Sequence, residues 1–101
     1  MIYNHYFKIL NYKNSDLVED TEIKLAILRK MLMHKWIGDS HTSIDNIPKG
    51  FPQHERKRVA DLTKELIKEG FILHKPTSYG EQVSLNPKRV YEAKKLTGII
   101  H

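Results

Sequence analysis

The stretch QHERKRVADLTKELIKEGFILHKPTSYGEQVSLNP, residues 53–87, changes its hydrophobic period in the middle. In its first half apolar residues recur every three or four positions, which predicts an amphipathic helix from about Pro52 or Gln53 to Glu69. Gly70 is suited to the C′ position that ends a helix. The apolar stripe of this helix consists of Val59, Ala60, Leu62, Leu66 and Ile67. We therefore expect a long helix that buries one face.

Beyond Gly70 the period becomes two. Apolar residues alternate with more polar neighbours at Phe71, Leu73, Val83 and Leu85. This alternation predicts two strands, and the intervening residues 75–81 (KPTSYGE) predict a turn or short loop. The second half of the stretch is therefore interpreted as a β-hairpin. Asn86-Pro87 then predicts the cap and opening of a final helix over 87–97, closed by Gly98.

Upstream of this stretch lies a first helix, predicted from about Glu22 to Ile37 with Asp20 or Thr21 as N-cap and Gly38 at its end. It is apolar on two sides, which is typical of a buried helix. One flank carries Ile23, Ala26, Ile27, Met33 and Ile37, and the other carries Leu25, Leu28, Leu32 and Trp36. The second flank needs a cover, either the aromatic N-terminal segment or a second subunit.

Residues 38–52 are dense in turn formers, and residues 1–12 are rich in aromatic and β-branched side chains. Within the first segment a short helix is expected after Thr42 or Ser43. It would carry Ile44 and Ile47 inward before Pro48 stops it. Residues 1–12 have mixed periodicity, so strand and helix both stay open there.

The predicted order is helix, short helix, long helix, hairpin, helix. This order favours an α+β, mostly helical winged helix-turn-helix fold, with a three-helix core, a hairpin wing and a C-terminal helix. The expected division is an N-terminal arm or extra element over 1–19, the winged-helix domain over 20–97 and a tail over 98–101.

Three short motifs carry a family resemblance across residues 21–97. The segments LIKEGFI (66–72), KPTSYG (75–80) and VSLNP (83–87) resemble small winged-helix proteins of archaeal type. The L-x-x-E-G ending of the long helix is also similar to MarR-like and ArsR-like regulators. The resemblance implies a DNA-binding protein whose long helix is the recognition helix.

Composition excludes several other classes of protein. Apolar residues make up 40% and charged residues 29% of the chain, as in ordinary soluble globular proteins, and there is no cysteine. No apolar run is long enough to span a bilayer, and we expect a cytoplasmic protein. The six histidines lack metal-ligand spacing. Asp39-Ser40-His41 contains the residue types of a catalytic triad but is interpreted as a turn, because a triad is assembled by the fold and not by adjacency in sequence. We expect no metal, no cofactor and no catalytic residue.

The net charge of +5 is concentrated in the second half of the chain. Residues 1–48 hold six Lys/Arg and six Asp/Glu, whereas residues 49–95 hold eleven Lys/Arg and six Asp/Glu. A basic excess confined to one region is typical of a polyanion binder.

The outward face of helix 53–69 and the hairpin tip supply the candidate contacts. The proposed base-reading residues are Gln53, His54, Lys57 and Arg58, the proposed phosphate contacts are Lys64 and Lys68, and Asp61 lies on the same face. Lys75 and Tyr79 on the wing, residues 75–81, would reach the backbone or the minor groove. Lys88 and Arg89 are weaker candidates for backbone contact. Glu65 and Glu69 lie near the face and oppose this interpretation.

Several alternatives stay open at this point. The long helix could be merely a solvated amphipathic helix, and Tyr79 could pack over its own turn. The leading hypothesis is a non-enzymatic, dimeric transcriptional regulator that reads double-stranded DNA with helix 53–69. A homodimer would use the spare flank of helix 22–37 and the chain termini. The alternatives are a winged-helix protein–protein interaction module or an RNA-binding protein.

Overall fold

The computed structural model describes residues 19–99, which form three α-helices and a three-stranded antiparallel sheet. The helices are α1 (Asp20–His34), α2 (Arg56–Lys68) and α3 (Val90–Thr97), and the strands are β1 (Thr42–Ser43), β2 (Ile72–Thr77) and β3 (Gly80–Leu85). Single 3₁₀ turns cover Ile44–Asn46, Gln53–Glu55 and Pro87–Arg89. The α+β, mostly helical class is confirmed. The expectations for residues 1–18, 100 and 101 lie outside the described residues.

Helix α1 ends three residues earlier than its hydrophobic pattern predicts. It begins at Asp20 after an N-cap at Glu19, and Lys35 closes it in the left-handed region with φ 59°. The chain leaves the helix because the next residues pair with β3: Leu85 N donates to Trp36 O (2.8 Å) and Gly38 N donates to Leu85 O (3.0 Å). Backbone pairing with the sheet therefore overrides the apolar periodicity at this end.

The two flanks of α1 are covered differently from the sequence expectation. Leu28 and Leu32 of the second flank are buried within the single chain, whereas Met33 of the first flank is 57% exposed. Helix α3 packs against α1, where Arg29 Nη2 donates to Thr97 O (2.6 Å). Leu28 and Leu32 therefore need no second subunit to cover them.

The segment between α1 and α2 contains the predicted short helix as one 3₁₀ turn. Ser43 is its N-cap, accepting from Asp45 N (3.2 Å), and Ile47 is fully buried behind it. Strand β1 immediately precedes the turn and was not predicted. Its two residues pair antiparallel with β3, Thr42 opposite Val83.

Helix α2 agrees closely with the sequence prediction. A 3₁₀ turn at Gln53–Glu55 leads into it, and a Schellman motif ends it. In that motif Gly70 N donates to Ile67 O (3.1 Å) and Phe71 N donates to Leu66 O (3.0 Å), with Gly70 at φ 87°. The buried face of α2 consists of Val59, Leu62, Thr63 and Leu66.

The hairpin extends further than predicted, so the expected loop over 75–81 is wrong. Lys75, Pro76 and Thr77 continue β2, and only two residues lie between paired Thr77 and Gly80. Pro76 is tolerated because the sheet order β1-β3-β2 makes β2 an edge strand. The inward residue of β2 is Ile72, opposite Leu85, whereas Leu73 is 44% exposed.

The last helix begins as predicted. Asn86 accepts a hydrogen bond from Lys88 N (3.0 Å), Pro87 opens the first turn, and Gly98 closes α3 with φ 79°. Ala93 and Thr97 are its buried residues. Among residues 19–99, no helix has the length and apolarity that crossing a membrane requires.

Candidate nucleic-acid interface

The exposed side of α2 carries three lysines, Lys57, Lys64 and Lys68, which we call the cationic face. It lies opposite the buried stripe of the helix. Lys57 Nζ pairs with Asp61 Oδ2 one turn away (3.3 Å), and both side chains are largely exposed, so this pair is weak. Within residues 19–99 no carboxylate pairs with Lys64 or Lys68. Two ammonium groups on one helix face are therefore available to an external anion.

Two acidic residues at the end of α2, Glu65 and the C-cap residue Glu69, are neutralised from α1. Lys24 Nζ lies 3.1 Å from Glu65 Oε1 and 2.9 Å from Glu69 Oε2. The hydrogen bond to Glu69 raises the pKa of Lys24 above its ordinary value, although partial burial opposes the shift. Both carboxylates thus belong to the flank of α2 that meets α1. They do not cancel the charge of the cationic face.

Arg58 lies between helices α1 and α2 and is not part of the cationic face. Its guanidinium pairs with Asp20 of α1 (2.8 Å) and with Glu55 one turn earlier (3.5 Å), and its side chain is 29% exposed. The i,i+3 spacing of Glu55 and Arg58 is visible in the sequence. The Asp20 contact spans 38 residues, so no local signal could reveal it.

Gln53 and His54 occupy the 3₁₀ turn that leads into α2, and both are exposed. They lie one turn before Lys57 and therefore at the beginning of the cationic face. The structure thus brings Gln53, His54, Lys57, Asp61, Lys64 and Lys68 together along one helical segment.

The hairpin tip holds Tyr79 in solvent. Thr77 Oγ1 accepts from Tyr79 N (3.1 Å) and donates to Gly80 O (2.6 Å), and Gly80 adopts φ 114°. The turn is therefore fixed by its own hydrogen bonds, while the Tyr79 side chain is 92% exposed. The alternative that Tyr79 packs over its own turn is wrong. Lys75 lies farther along β2 and is also exposed.

Arg89, one of the weaker candidates, is engaged inside the molecule. Its Nη1 donates to Glu69 O at the end of α2 (2.9 Å), and its Nε pairs with Glu92 (2.7 Å). The guanidinium also lies 3.9 Å from the centroid of the Phe71 ring. Arg89 therefore joins α2 to α3, whereas Lys88 is exposed.

Sequence reasoning missed two further cations, Lys30 and Arg56, which bind the turn before α2. Lys30 of α1 donates from Nζ to the carbonyls of Asn46 (2.8 Å), Ile47 (3.1 Å) and Lys49. Arg56 Nε donates to Phe51 O (3.2 Å). No sequence signal connects Lys30 with this turn, because the contact joins two separate elements.

The described residues contain no metal-binding group. Between Glu19 and Ile99 no three His, Asp or Glu side chains are grouped so that they could hold a metal ion. Comparison of the chain with protein-family models, with curated proteins and with solved structures gives no match.

Proposed function

We propose that this chain is a non-enzymatic, double-stranded-DNA-binding protein of the winged helix-turn-helix type, acting as a transcriptional regulator. Helix α2 and its leading turn would lie in the major groove, and the hairpin tip would contact the backbone or the minor groove. The observation that carries the proposal is the cationic face. The neighbouring carboxylates of Glu65 and Glu69 form ion pairs with Lys24 of α1 and not with the lysines of this face. A merely solvated helix has no need of this separation of charge.

The order of the elements supports the fold assignment. Helix α1, the short turn at Ile44–Asn46 and helix α2 are followed directly by a two-stranded hairpin, and β1 completes the sheet. This arrangement is compatible with a helix-turn-helix that carries a wing.

Each candidate residue has a defined role in the proposal. Gln53 and His54, at the start of the helical segment, are placed to meet base edges, as in recognition helices. Lys57 lies beside them, and Lys64 and Lys68 meet phosphates farther along the helix. Arg58 orients α2 on α1 and is proposed to act indirectly. Lys75 and Tyr79 provide the second contact.

The test is binding to duplex DNA, single-stranded DNA and structured RNA, measured by fluorescence anisotropy across a salt series. Phosphate contacts by Lys64 and Lys68 on the helix and by Lys75 on the wing predict a log–log slope of about −2.7 for the duplex, at about −0.9 per contact. A duplex slope near zero overturns the proposal and favours a protein-interaction module. Tighter binding to structured RNA than to duplex DNA would reassign the surface to RNA. Single-strand preference is not expected, because no aromatic side chain lies on the cationic face.

A homodimer is the second part of the proposal. Two copies could read two half-sites about one helical turn apart. Among the described residues, the large hydrophobic side chains left exposed on α1 and α3 are Met33, Leu96 and Tyr91. Light scattering that gives a monomer mass at high micromolar concentration would refute the dimer without affecting DNA binding by one chain.

A further inference from the structure

The loop between the Ile44–Asn46 turn and α2 is surrounded by three cations, Lys30, Lys49 and Arg56, which we call the turn cluster. Lys30 reaches the loop from α1, Lys49 belongs to it, and Arg56 opens α2. Lys49 and Arg56 are exposed, whereas Lys30 is partly buried. None of these three residues belongs to the cationic face of α2.

Two members of the cluster fix the loop. The Lys30 ammonium group donates to three carbonyls of this segment, those of Asn46, Ile47 and Lys49. Arg56 Nε donates to Phe51 O. These bonds leave the Lys49 side chain and the two terminal nitrogens of Arg56 unused among the described residues. The loop backbone that carries Lys49 is therefore held in place, and its exposed cations are left to meet an external anion.

The charge of the cluster is uncompensated. Among residues 19–99 no carboxylate forms an ion pair with any of the three cations, and Glu55, which directly precedes Arg56, pairs with Arg58. Burial, together with the nearby charges of Lys49 and Arg56, lowers the pKa of Lys30. Three positive charges held together without a counter-charge favour an anion between them.

We infer that the turn cluster binds one backbone phosphate of the nucleic acid, with Lys49 and the terminal nitrogens of Arg56 as donors and Lys30 as the residue that positions the loop. The inference rests on the proposed function and adds a contact to it. A guanidinium fork matches the two free oxygens of a phosphodiester, and the Lys49 ammonium group adds a point charge.

A nucleic-acid strand is the favoured source of this phosphate because the cluster adjoins the cationic face. Arg56 directly precedes Lys57 in the first turn of α2. A strand that passes Lys57 therefore continues past the loop. An isolated phosphate ion would contact the cluster alone and would gain nothing from Lys64 and Lys68.

The experiment compares the salt dependence of duplex binding for wild type, Lys49→Gln, Arg56→Gln and the double variant. Loss of one phosphate contact should make the log–log slope shallower by about 0.9 in the double variant. At 0.1 M salt, one decade below 1 M, this corresponds to about eightfold weaker binding on every duplex sequence. Arg56→Lys keeps the charge and should lose less than Arg56→Gln.

The controls separate folding and net charge from contact. Lys95→Glu changes the net charge by the same two units on α3 and should leave the slope unchanged. The Lys49 side chain makes no hydrogen bond in residues 19–99, so Lys49→Gln should fold like the wild type. It therefore tests the site even if Arg56→Gln, which loses a hydrogen bond to Phe51 O, unfolds at a lower temperature. A wild-type slope near zero overturns the proposed function and this inference together. A steep wild-type slope that persists in Lys49→Gln and in the double variant overturns the inference alone.

Discussion

Replacing Lys24 by Met should weaken duplex binding, although Lys24 lies outside the proposed contacts with the nucleic acid. Methionine keeps the length and apolar stem of the side chain but removes the ammonium group. Glu65 and Glu69 then lose the counter-charge that lies 3.1 and 2.9 Å from their oxygens. Helix α2 would carry two unpaired carboxylates beside its cationic face.

The losses of stability and of duplex affinity in Lys24→Met can be sized from the exposure of the ion pairs and from the distance between charges. The carboxylate partners are about half exposed, and the Lys24 side chain is 19% exposed, so the two pairs together contribute about 1 kcal/mol to the free energy of unfolding. For binding, one lost positive charge about 10 Å from a phosphate costs roughly 0.4 kcal/mol in water before screening. Salt reduces each such effect, and several phosphates add to it, so we expect roughly twofold weaker binding.

The contribution of Lys24 to stability also has a predicted pH dependence. Its pKa is raised in the folded state relative to the ordinary value of 10.5, because Glu69 accepts a hydrogen bond from the ammonium group. The folded state therefore binds the proton more tightly. The stabilisation is fully present below about pH 10 and is lost as the pH rises through the raised pKa. The stability difference between wild type and Lys24→Met should shrink over that alkaline range.

Chemical denaturation and anisotropy binding measure the two effects separately. The triple variant Lys24→Met/Glu65→Gln/Glu69→Gln removes the exposed carboxylates and should recover the lost affinity. Unchanged or tighter duplex binding by Lys24→Met, with the predicted loss of stability, would refute the claim that Lys24 protects the cationic face.

Three further predictions concern single residues. Arg58→Gln should lower the free energy of unfolding by about 1 kcal/mol because two ion pairs are lost, and a melting temperature equal to that of wild type would contradict its placement between helices. Gly70→Ala should cost about 1–2 kcal/mol by denaturant titration, because φ is 87° and the added Cβ would lie 3.2 Å from Arg89 Nη1. Wild-type stability in Gly70→Ala would argue against this helix ending. Tyr79→Ala should leave the melting temperature unchanged, because the ring is 92% exposed, and should weaken duplex binding about threefold. Wild-type affinity in Tyr79→Ala would remove the hairpin tip from the interface.

The sequence predicted the elements whose signals are local. Helix α2, its ending at Gly70 and the opening of the last helix at Asn86-Pro87 each depend on residues within one or two turns. The first helix was predicted to be too long because its last apolar residues belong to a segment that pairs with β3. Strand β1 was missed because two residues carry no periodicity of their own.

In the candidate site, too, features with local sequence signals were predicted and features that depend on distant contacts were missed. The cationic face follows directly from helical spacing, and its exposed residues lie together as expected. The ion pairs of Lys24 and Arg58 and the hydrogen bonds of Lys30 join elements far apart in the chain, and only the packing of α1 on α2 brings them together. Which side chains of β2 face the core also depends on the neighbouring strand. Ile72, opposite Leu85, faces inward, whereas the alternating sequence pattern predicted Leu73 as an inward residue.

We propose above all that the cationic face of α2 binds the backbone of duplex DNA. The most direct measurement is the salt dependence of duplex affinity for wild type, for Lys64→Ala/Lys68→Ala, and for Lys95→Glu, which matches the charge change on another helix. We predict a wild-type slope of about −2.7 or steeper, a slope shallower by about 1.8 in the double variant, and no change in the control. Equal slopes in the wild type and the double variant, or no salt dependence in the wild type, would show that this face does not bind the DNA backbone.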